Sequence, residues 1–367
     1  MFKDIHSRRT FLKGLGAAGG SILLSPFVNL YAMEGEPPCP EVAGRRISWI
    51  VPGSVGGGYD TYSRLIEPFY ERALVAEIVV ENRPGAGGVL CGRIISEAKP
   101  DGLTIGIINA PALMTASLVE EKNAPNPAKD FTILGRVAGS RHVWLTGRNS
   151  SLNTIEDVLK KSEKRPVVFA IVDVGSSSFV GVTISSYLSG VDSDLVAGFN
   201  GSRECALAAI RGDVDVISFN FESVLSHIEN GDLRPLMQLT DEVISSHPSL
   251  KGVPLLGGEE GVAARRAAGL GRSRKEAVTE ARALSALIGA GRLIVAPPGL
   301  DKTLSICMEK VLTETLTSAG FRDAAAKAKR SLDIADGKTS REDLRVVTEV
   351  IVKFASLIMN AIKDVRK

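Results

Sequence analysis

The sequence predicts an α/β protein with two βα lobes and a hinge around a ligand cleft. Its 367 residues exceed what one hydrophobic core usually serves, which favours two domains. Apolar runs alternate with amphipathic segments along most of the chain, and this alternation is typical of parallel sheets covered by helices. Glycine- and serine-rich loops follow several predicted strands, which is the edge where open α/β sheets bind ligands.

The N-terminus predicts export. Residues 7–13, SRRTFLK, carry paired arginines, and a weakly apolar, glycine-rich stretch leads to an imperfect cleavage site ending at Ala32. The pattern is similar to a twin-arginine signal peptide over residues 1–32. An amphipathic helix or a membrane anchor is the alternative, but glycines and Pro26 interrupt the apolar run too often for a stable span. We therefore expect a periplasmic protein exported by the twin-arginine route.

The charge balance and the cysteines exclude other classes of site. The net charge is only +2, so we expect no nucleic-acid partner. The cysteines are far apart without a CxxC pair, which argues against zinc, and we expect neither a metal nor a cofactor. An oxidising compartment permits disulfides. The sequence indicates no particular pair, and buried single thiols are favoured for Cys39, Cys91, Cys205 and Cys307.

Residues 33–44 are rich in proline and glutamate and are expected to form a loose leader. The first lobe begins with residues 45–140. Its predicted strands are ISWIVPG, EIVVENRPG and LTIGIINA, and its predicted helices are DTYSRLIEPFYERAL and GGVLCGRIISEAK. Because each helix separates two strands, we expect a parallel sheet.

A strand pair, RVAGSRHVWLTGRNS, is predicted to cross into a second lobe over residues 141–255. Its first helix begins at Thr154 with Asp157 three residues later, a capping-box pattern. The further predicted strands are PVVFAIVDVGSSS, DLVAGFNGS, DVISFNFES and RPLMQLTDE.

Residues 256–367 are expected to return to the first lobe. The part from 257 to 290 is rich in alanine, glycine and arginine, and we interpret it as a long linker with a helix over part of it. A basic patch for an anionic partner is the alternative. A strand, RLIVAPPG, and two amphipathic helices follow.

The first candidate site is the loop that follows the first strand. Glycines permit positive φ and close backbone approach, and free N–H groups at the next helix attract anions. Asp60 would cap that helix or contact the ligand, and Arg64 would pair with Asp60. The spacing fits neither a dinucleotide fingerprint nor a P-loop. The candidates here are Ser54, Val55, Gly57, Gly58, Tyr59 and Asp60.

The second candidate site is a serine loop whose hydroxyls could cap a helix and donate to an anion. It is not a nucleophile elbow, which would need glycine at Phe179. The histidines, His142 among them, are expected at the surface or between the lobes, so general-base catalysis has little support. The candidates are Gly175, Ser176, Ser177 and Ser178, with Asn109, Asn200 and Asn220 at the ends of other predicted strands.

Two lobes with helix N-termini and no catalytic group predict a clamp for a small anion. A dicarboxylate could meet one helix with each end. An exported enzyme and a sensory ligand-binding subunit for a membrane kinase are the alternatives.

Several motifs resemble those of the solute receptors of tripartite tricarboxylate transporters, the Bug-type receptors. The motifs are Val51-Pro52, Gly57-Gly58-Tyr59-Asp60 with Arg64, VENRPGAGG at 80–88, and PDGLT at 100–104. The resemblance implies a type II periplasmic-binding-protein fold and a receptor that delivers carboxylates to membrane permease subunits. It also implies that loops 54–60 and 175–178 meet the ligand, partly through water. Ser54 and Tyr59 depart from the family loop, so the resemblance does not transfer a substrate.

Overall fold

Two β-sheets organise the protein. The computed structural model describes residues 36–118, 124–244 and 247–365, so the predicted signal peptide lies outside the described residues. The first sheet has the order β11-β4-β10-β3-β1-β2. Its strands are β1 (Arg46–Val51), β2 (Glu77–Asn82), β3 (Thr104–Ile108), β4 (Thr132–Arg136), β10 (Leu293–Ala296) and β11 (Ala335–Asp336).

The second sheet has the order β7-β6-β8-β5-β9. Its strands are β5 (His142–Gly147), β6 (Val167–Ala170), β7 (Ser193–Val196), β8 (Val216–Asn220) and β9 (Leu233–Gln238). The parallel pairing predicted for the first three strands is confirmed, because β1 runs parallel to both β2 and β3. Both sheets as a whole are mixed. Strand β10 runs antiparallel to β3 and β4, and β5 runs antiparallel to β8 and β9. The chain enters β5 and β10 from the other sheet. The direction of these two strands is therefore not fixed by a crossover helix between two strands of the same sheet.

Helices cover the sheets. They are α1 (Gly58–Leu74), α2 (Val89–Ser96), α3 (Ala110–Leu118), α4 (Ile155–Ser162), α5 (Ser177–Ser189), α6 (Ser202–Arg211), α7 (Leu225–Glu229), α8 (Val262–Arg266), α9 (Arg274–Gly289), α10 (Lys302–Thr317), α11 (Ala319–Lys327), α12 (Gly337–Lys353) and α13 (Ala355–Val365). The predicted capping box of α4 is confirmed, because Thr154 Oγ1 accepts the Asp157 N–H at 3.2 Å. Among the described helices, none combines the length and the apolar character needed to cross a membrane.

The arginine-rich segment is more ordered than the expected linker. It forms α8 and α9, and α9 packs against α5. Arg272 forms an ion pair with the buried Glu280 at 3.2 Å and lies 4.4 Å from the Tyr187 ring centroid. Arg265 and Arg274 also lie within ion-pair distance of glutamates. Arg272 therefore holds this segment against α5, and the pairing of all three arginines with glutamates weakens the interpretation of the segment as an anion-binding patch.

The segment before β1 is fixed to the core, so the expectation of a loose leader is wrong for residues 38–44. Cys39 and Val42 are fully buried, and Cys39 forms a disulfide with Cys307 on α10. The interpretation as single thiols holds only for Cys91 and Cys205, which are buried and free. A separation of 268 residues hides this pairing in the sequence.

Candidate functional site

A cavity of about 290 Å³ lies where loops from both sheets meet. Its wall is formed by loops at the carboxyl ends of β1, β2, β3, β6, β7 and β8, together with Arg292 just before β10. The carboxyl edge of α/β sheets is where the sequence predicts a site. Two contacts join its opposite sides, since Ser54 Oγ donates to the Asn200 carbonyl at 3.3 Å and Gly87 packs against Ser176.

The structure brings most of the predicted site residues to this wall: Ser54, Gly57, Gly58, Tyr59, Asn109, Ser176, Ser177, Asn200 and Asn220. The other predicted residues do not line it: Val55, Asp60, Gly175 and Ser178. Val55 is 69% exposed, so its side chain lies in solvent and does not contribute to an enclosed site.

The N-terminus of α1 opens onto the cavity without a side-chain cap. Its N-cap is Gly57, so Asp60 is not the cap but lies in the first turn. Asp60 is buried and accepts hydrogen bonds from the Gly56 N–H at 2.8 Å and from Arg64 Nε at 2.9 Å. The predicted pairing of Asp60 with Arg64 is confirmed. Within the described chain, the N–H groups of Gly58 and Tyr59 have no acceptor, as expected for a first turn.

The N-terminus of α5 is capped by the protein itself. Ser176 Oγ accepts the Phe179 N–H at 3.2 Å and lies 2.9 Å from Ser178 Oγ. Ser178 Oγ in turn accepts the Val172 N–H at 3.1 Å. Asp173 lies on the cavity wall beside this helix, and its carboxylate accepts the Val174 N–H at 2.8 Å. This end of the cavity therefore carries a negative charge that the sequence analysis did not include.

The predicted asparagines line the cavity, but each uses its amide within the protein. Asn109 Oδ1 accepts the Ala112 N–H at 3.3 Å at the start of α3. Asn200 Nδ2 donates to Glu204 at 2.9 Å, and Asn220 Nδ2 donates to Glu222 at 2.6 Å. These side chains therefore hold the loops in place, and only their unused atoms can reach a ligand.

The loop at 85–88 explains the glycine-rich motif. Ala86, Gly87 and Gly88 all have positive φ, with Gly87 at +61°. A side chain at Gly87 would approach the backbone nitrogen of Ser176 to 3.3 Å, so only glycine permits this close packing. The loop thereby covers the start of α5.

Arg292 is the main residue that the sequence analysis missed. It is 1% exposed and lies on the cavity wall. Its Nη1 donates to the Gly139 carbonyl at 2.6 Å and to Ser140 Oγ at 3.1 Å. The guanidinium also lies over the rings of Tyr62 and Tyr59, 4.8 and 5.5 Å from their centroids. The only sequence signal is an arginine at the start of an apolar run.

His142 is the second residue that the sequence analysis missed. It is 2% exposed, lines the cavity and stacks on Phe219, so of the two expected locations the surface is excluded and the position between the predicted lobes remains. Burial, reinforced by the Arg292 charge, lowers the pKa of His142 to about 3. Desolvation raises the pKa of Tyr59 to about 12. Both rings are therefore neutral at pH 7, and Arg292 carries the charge at this end of the cavity.

In residues 36–118, 124–244 and 247–365 there is no group of three or more His, Cys, Asp or Glu side chains that could hold a metal ion. The wall instead offers amide donors, hydroxyls and one guanidinium, which suit an anionic ligand bound without covalent chemistry.

The fold and this donor-lined cavity define a solute-binding protein, and comparison identifies its family. Residues 63–270 match the family described as "Tripartite tricarboxylate transporter family receptor". The match covers more than half of the chain, so the protein belongs to this family.

Curated relatives are distant. The chain is 24% identical to BugT of Bordetella pertussis over 285 residues, which cover 77% of this chain and 79% of BugT. It is 26% identical to the "UPF0065 protein in tcbD-tcbE intergenic region" of Pseudomonas sp. (strain P51) over 214 residues, 58% of this chain and 62% of that protein.

Solved structures confirm the periplasmic-binding-protein fold. The periplasmic binding protein BugD has a TM-score of 0.69 at 18% identity, with 86% of this chain and 97% of BugD covered. Rpa4515 of R. palustris, solved with adipate, has a TM-score of 0.68 at 19% identity and the same coverage. MatC of Rhodopseudomonas palustris, solved with bound malate, has a TM-score of 0.66 at 20% identity, with 86% of this chain and 99% of MatC covered.

Proposed function

We propose that this protein is an extracytoplasmic receptor that binds a small carboxylate in the cavity and delivers it to the membrane permease subunits of a tripartite tricarboxylate-type transporter. The observation that carries the proposal is the open N-terminus of α1, whose first N–H groups face the cavity without acceptors. A carboxylate would satisfy these donors and is favoured by the helix dipole. Adipate and malate in two related structures support the ligand class.

The proposed location is the periplasm, reached by the twin-arginine route. The paired arginines at Arg8 and Arg9 and the disulfide between Cys39 and Cys307 support it, because disulfides persist in oxidising compartments. Changing both arginines to lysine should leave the protein in the cytoplasmic fraction, and continued export would contradict the assigned route.

We further propose that the two sheets are the cores of two lobes that close on the ligand. The sequence-predicted boundaries are residues 45–140 and 256–367 for the first lobe and 141–255 for the second. Since α8 and α9 pack against α5, we extend the second lobe to the residue before β10. The chain passes between the sheets after β4 and before β10, and these two passages are the proposed hinge.

A thermal-shift screen tests the proposed function. The panel contains malate, adipate, succinate, citrate and benzoate, each with its carboxamide as a matched neutral control. A ligand at one hundred times its Kd should stabilise the folded protein by about 2.7 kcal/mol. We expect at least one acid to raise the melting temperature while its amide does not. If glucose and a cationic peptide, added to the panel, raised the melting temperature and no acid did, the proposal would be overturned.

A further inference from the structure

The cavity wall contains a cation that has no counter-charge in the described protein. Arg292 is the only lysine or arginine among the lining residues. It is 1% exposed, and it forms no ion pair with any carboxylate of the described ranges. A buried cation without a partner is strongly unfavourable, so its retention beside a cavity indicates that a partner enters from outside.

The hydrogen bonds of Arg292 leave one edge of the guanidinium unused. Nη1 donates to Gly139 and Ser140, and the rings of Tyr59 and Tyr62 lie against the group. Nε is buried without an acceptor, and Nη2 donates to no acceptor in the described chain. Nη2 is therefore the donor available to an entering carboxylate, whereas Nε is closed to solvent and could add a second, parallel hydrogen bond only after the side chain shifts.

This unused edge lies beside the open end of α1. A Cβ atom on Gly58 would lie 3.4 Å from Arg292 Nη2, which places the guanidinium next to the first residue of the helix. The positive end of the helix dipole and the buried cation therefore favour the same anionic group. The backbone of Arg292 is left-handed, with φ +59°, a conformation that residues other than glycine rarely adopt.

Arg292 also connects the two passages of the chain between the sheets. It directly precedes β10, whereas its acceptors Gly139 and Ser140 lie between β4 and β5. A charge bound at Arg292 therefore acts at the segments around which the proposed lobes close.

We infer that Arg292 determines the specificity of the site by forming a direct ion pair, through Nη2, with one carboxylate of the ligand at the α1 end of the cavity. This inference rests on the proposed function and names the residue that makes the site select an anion. The helix dipole already favours a carboxylate over a neutral group, and the buried guanidinium adds a full positive charge that a carboxamide cannot pair with.

Isothermal titration of the wild type, Arg292→Gln and Arg292→Lys tests this inference. The titrants are the tightest-binding acid of malate, adipate, succinate and benzoate, and its carboxamide. Losing one partner of a buried charge pair weakens binding by at least about 30-fold. We expect that loss for Arg292→Gln, and the same loss when the wild type meets the carboxamide. Arg292→Lys should retain part of the affinity, because it keeps the charge without the planar fork.

A matched control is Arg211→Gln, which removes the same charge from an exposed position outside the cavity. Its affinity should stay within about twofold of the wild type, since surface ion pairs contribute little. The melting temperature of each variant without ligand is measured in parallel, because Arg292→Gln also removes the hydrogen bonds to Gly139 and Ser140. The carboxamide titration uses only the wild type and does not depend on the folding of a variant.

The outcomes separate the two proposals. If the wild type bound none of the acids, the proposed function would fail and the inference with it. If the wild type bound an acid in preference to its carboxamide and Arg292→Gln kept the wild-type affinity for the acid, the role of Arg292 alone would be refuted.

Discussion

Helices α1 and α5 both begin at the cavity wall, but their N-termini differ in cap and in charge. At α1, Gly57 provides no side-chain cap and Arg292 lies beside the first residue. At α5, Ser176 caps the helix and Asp173 adds a carboxylate. An open N-terminus next to a cation attracts an anion, whereas a capped N-terminus next to a carboxylate does so much less. The comparison therefore favours one carboxylate at α1 over the symmetric dicarboxylate clamp that the sequence suggests.

The largest expected effect concerns His142, which feels the charge of Arg292 and lies against α5 at Gly181. Its pKa in the folded protein is lowered to about 3, below the ordinary value of about 6.5. Below pH 6.5 the unfolded chain therefore takes up a proton that the folded protein does not. Stability should fall by about 1.4 kcal/mol per pH unit, close to 3 kcal/mol between pH 7 and 4.5. Above pH 6.5 this contribution is fully present and constant.

Urea unfolding of the wild type and of His142→Asn at each pH measures this contribution. The variant should lack it, so the difference in unfolding free energy between the two proteins should change with pH. Parallel curves would contradict the buried, neutral state of His142.

The next largest effect is expected at Gly58. An added Cβ would lie 2.4 Å from Ser223 Oγ, so Ser223 must rotate, and the new methyl group would also crowd Arg292 Nη2. Overpacking of this kind costs about 2 kcal/mol, which corresponds to about 30-fold in affinity. Gly58→Ala should therefore weaken carboxylate binding about 30-fold in a calorimetric titration.

Gly53→Ala is the matched control for Gly58→Ala. Gly53 also lines the cavity, but a Cβ there would meet nothing within 4 Å. We expect the affinity of Gly53→Ala to stay within about threefold of the wild type, because a methyl group that meets no neighbour causes no overpacking. Equal losses in both variants would show that the α1 end is sensitive to any change and would remove the specific role of Gly58.

A smaller effect is expected at α5, where the serines have mainly a structural role. Ser176→Ala removes a cap and should lower the free energy of unfolding by about 1 kcal/mol. Its ligand affinity should change less than that of Gly58→Ala. Ser177→Ala is the control, because no hydrogen bond of the Ser177 hydroxyl to the described chain exists and only a ligand contact would be lost. A greater loss of affinity in Ser176→Ala than in Gly58→Ala would reverse the comparison between the helices.

The smallest effect is expected for Asp173→Asn, which removes the negative charge at the α5 end. The affinity for a ligand with a second carboxylate should then rise a few-fold. This gain corresponds to less than about 1 kcal/mol, because Asp173 is partly exposed. The affinity for a monocarboxylate should change less. Titrations with adipate and hexanoate, which share a carbon chain length, compare the two cases. A lower affinity for adipate in the variant would mean that Asp173 does not face the second end of the ligand.

The sequence predicts much of this architecture because local patterns determine it. The first strand, the glycine loop and α1 follow from an apolar run, three glycines and an amphipathic segment, and the capping box of α4 is visible in four residues. The loops lie at the carboxyl edge of the sheets because each directly follows a strand, which the local sequence pattern also predicts. Most of the predicted site residues reach the cavity for this reason.

The remaining features depend on contacts between distant parts of the chain. Arg292 reaches the cavity because β10 inserts antiparallel between β3 and β4 and because its own backbone is left-handed. His142 is buried because β5 runs next to β8, and Cys39 meets Cys307 across 268 residues. No local pattern encodes these pairings. The sequence also could not decide whether Asp60 contacts the ligand. Its carboxylate accepts hydrogen bonds from Gly56 and Arg64, and the residue does not line the cavity.

The most direct test of the central claim is a crystal structure of the wild-type protein with the tightest-binding acid of the panel. We predict one carboxylate within hydrogen-bond distance of the Gly58 or Tyr59 N–H and of Arg292 Nη2. A ligand whose carboxylates contact only the Ser176–Ser178 end, with Arg292 still unpaired, would contradict the account.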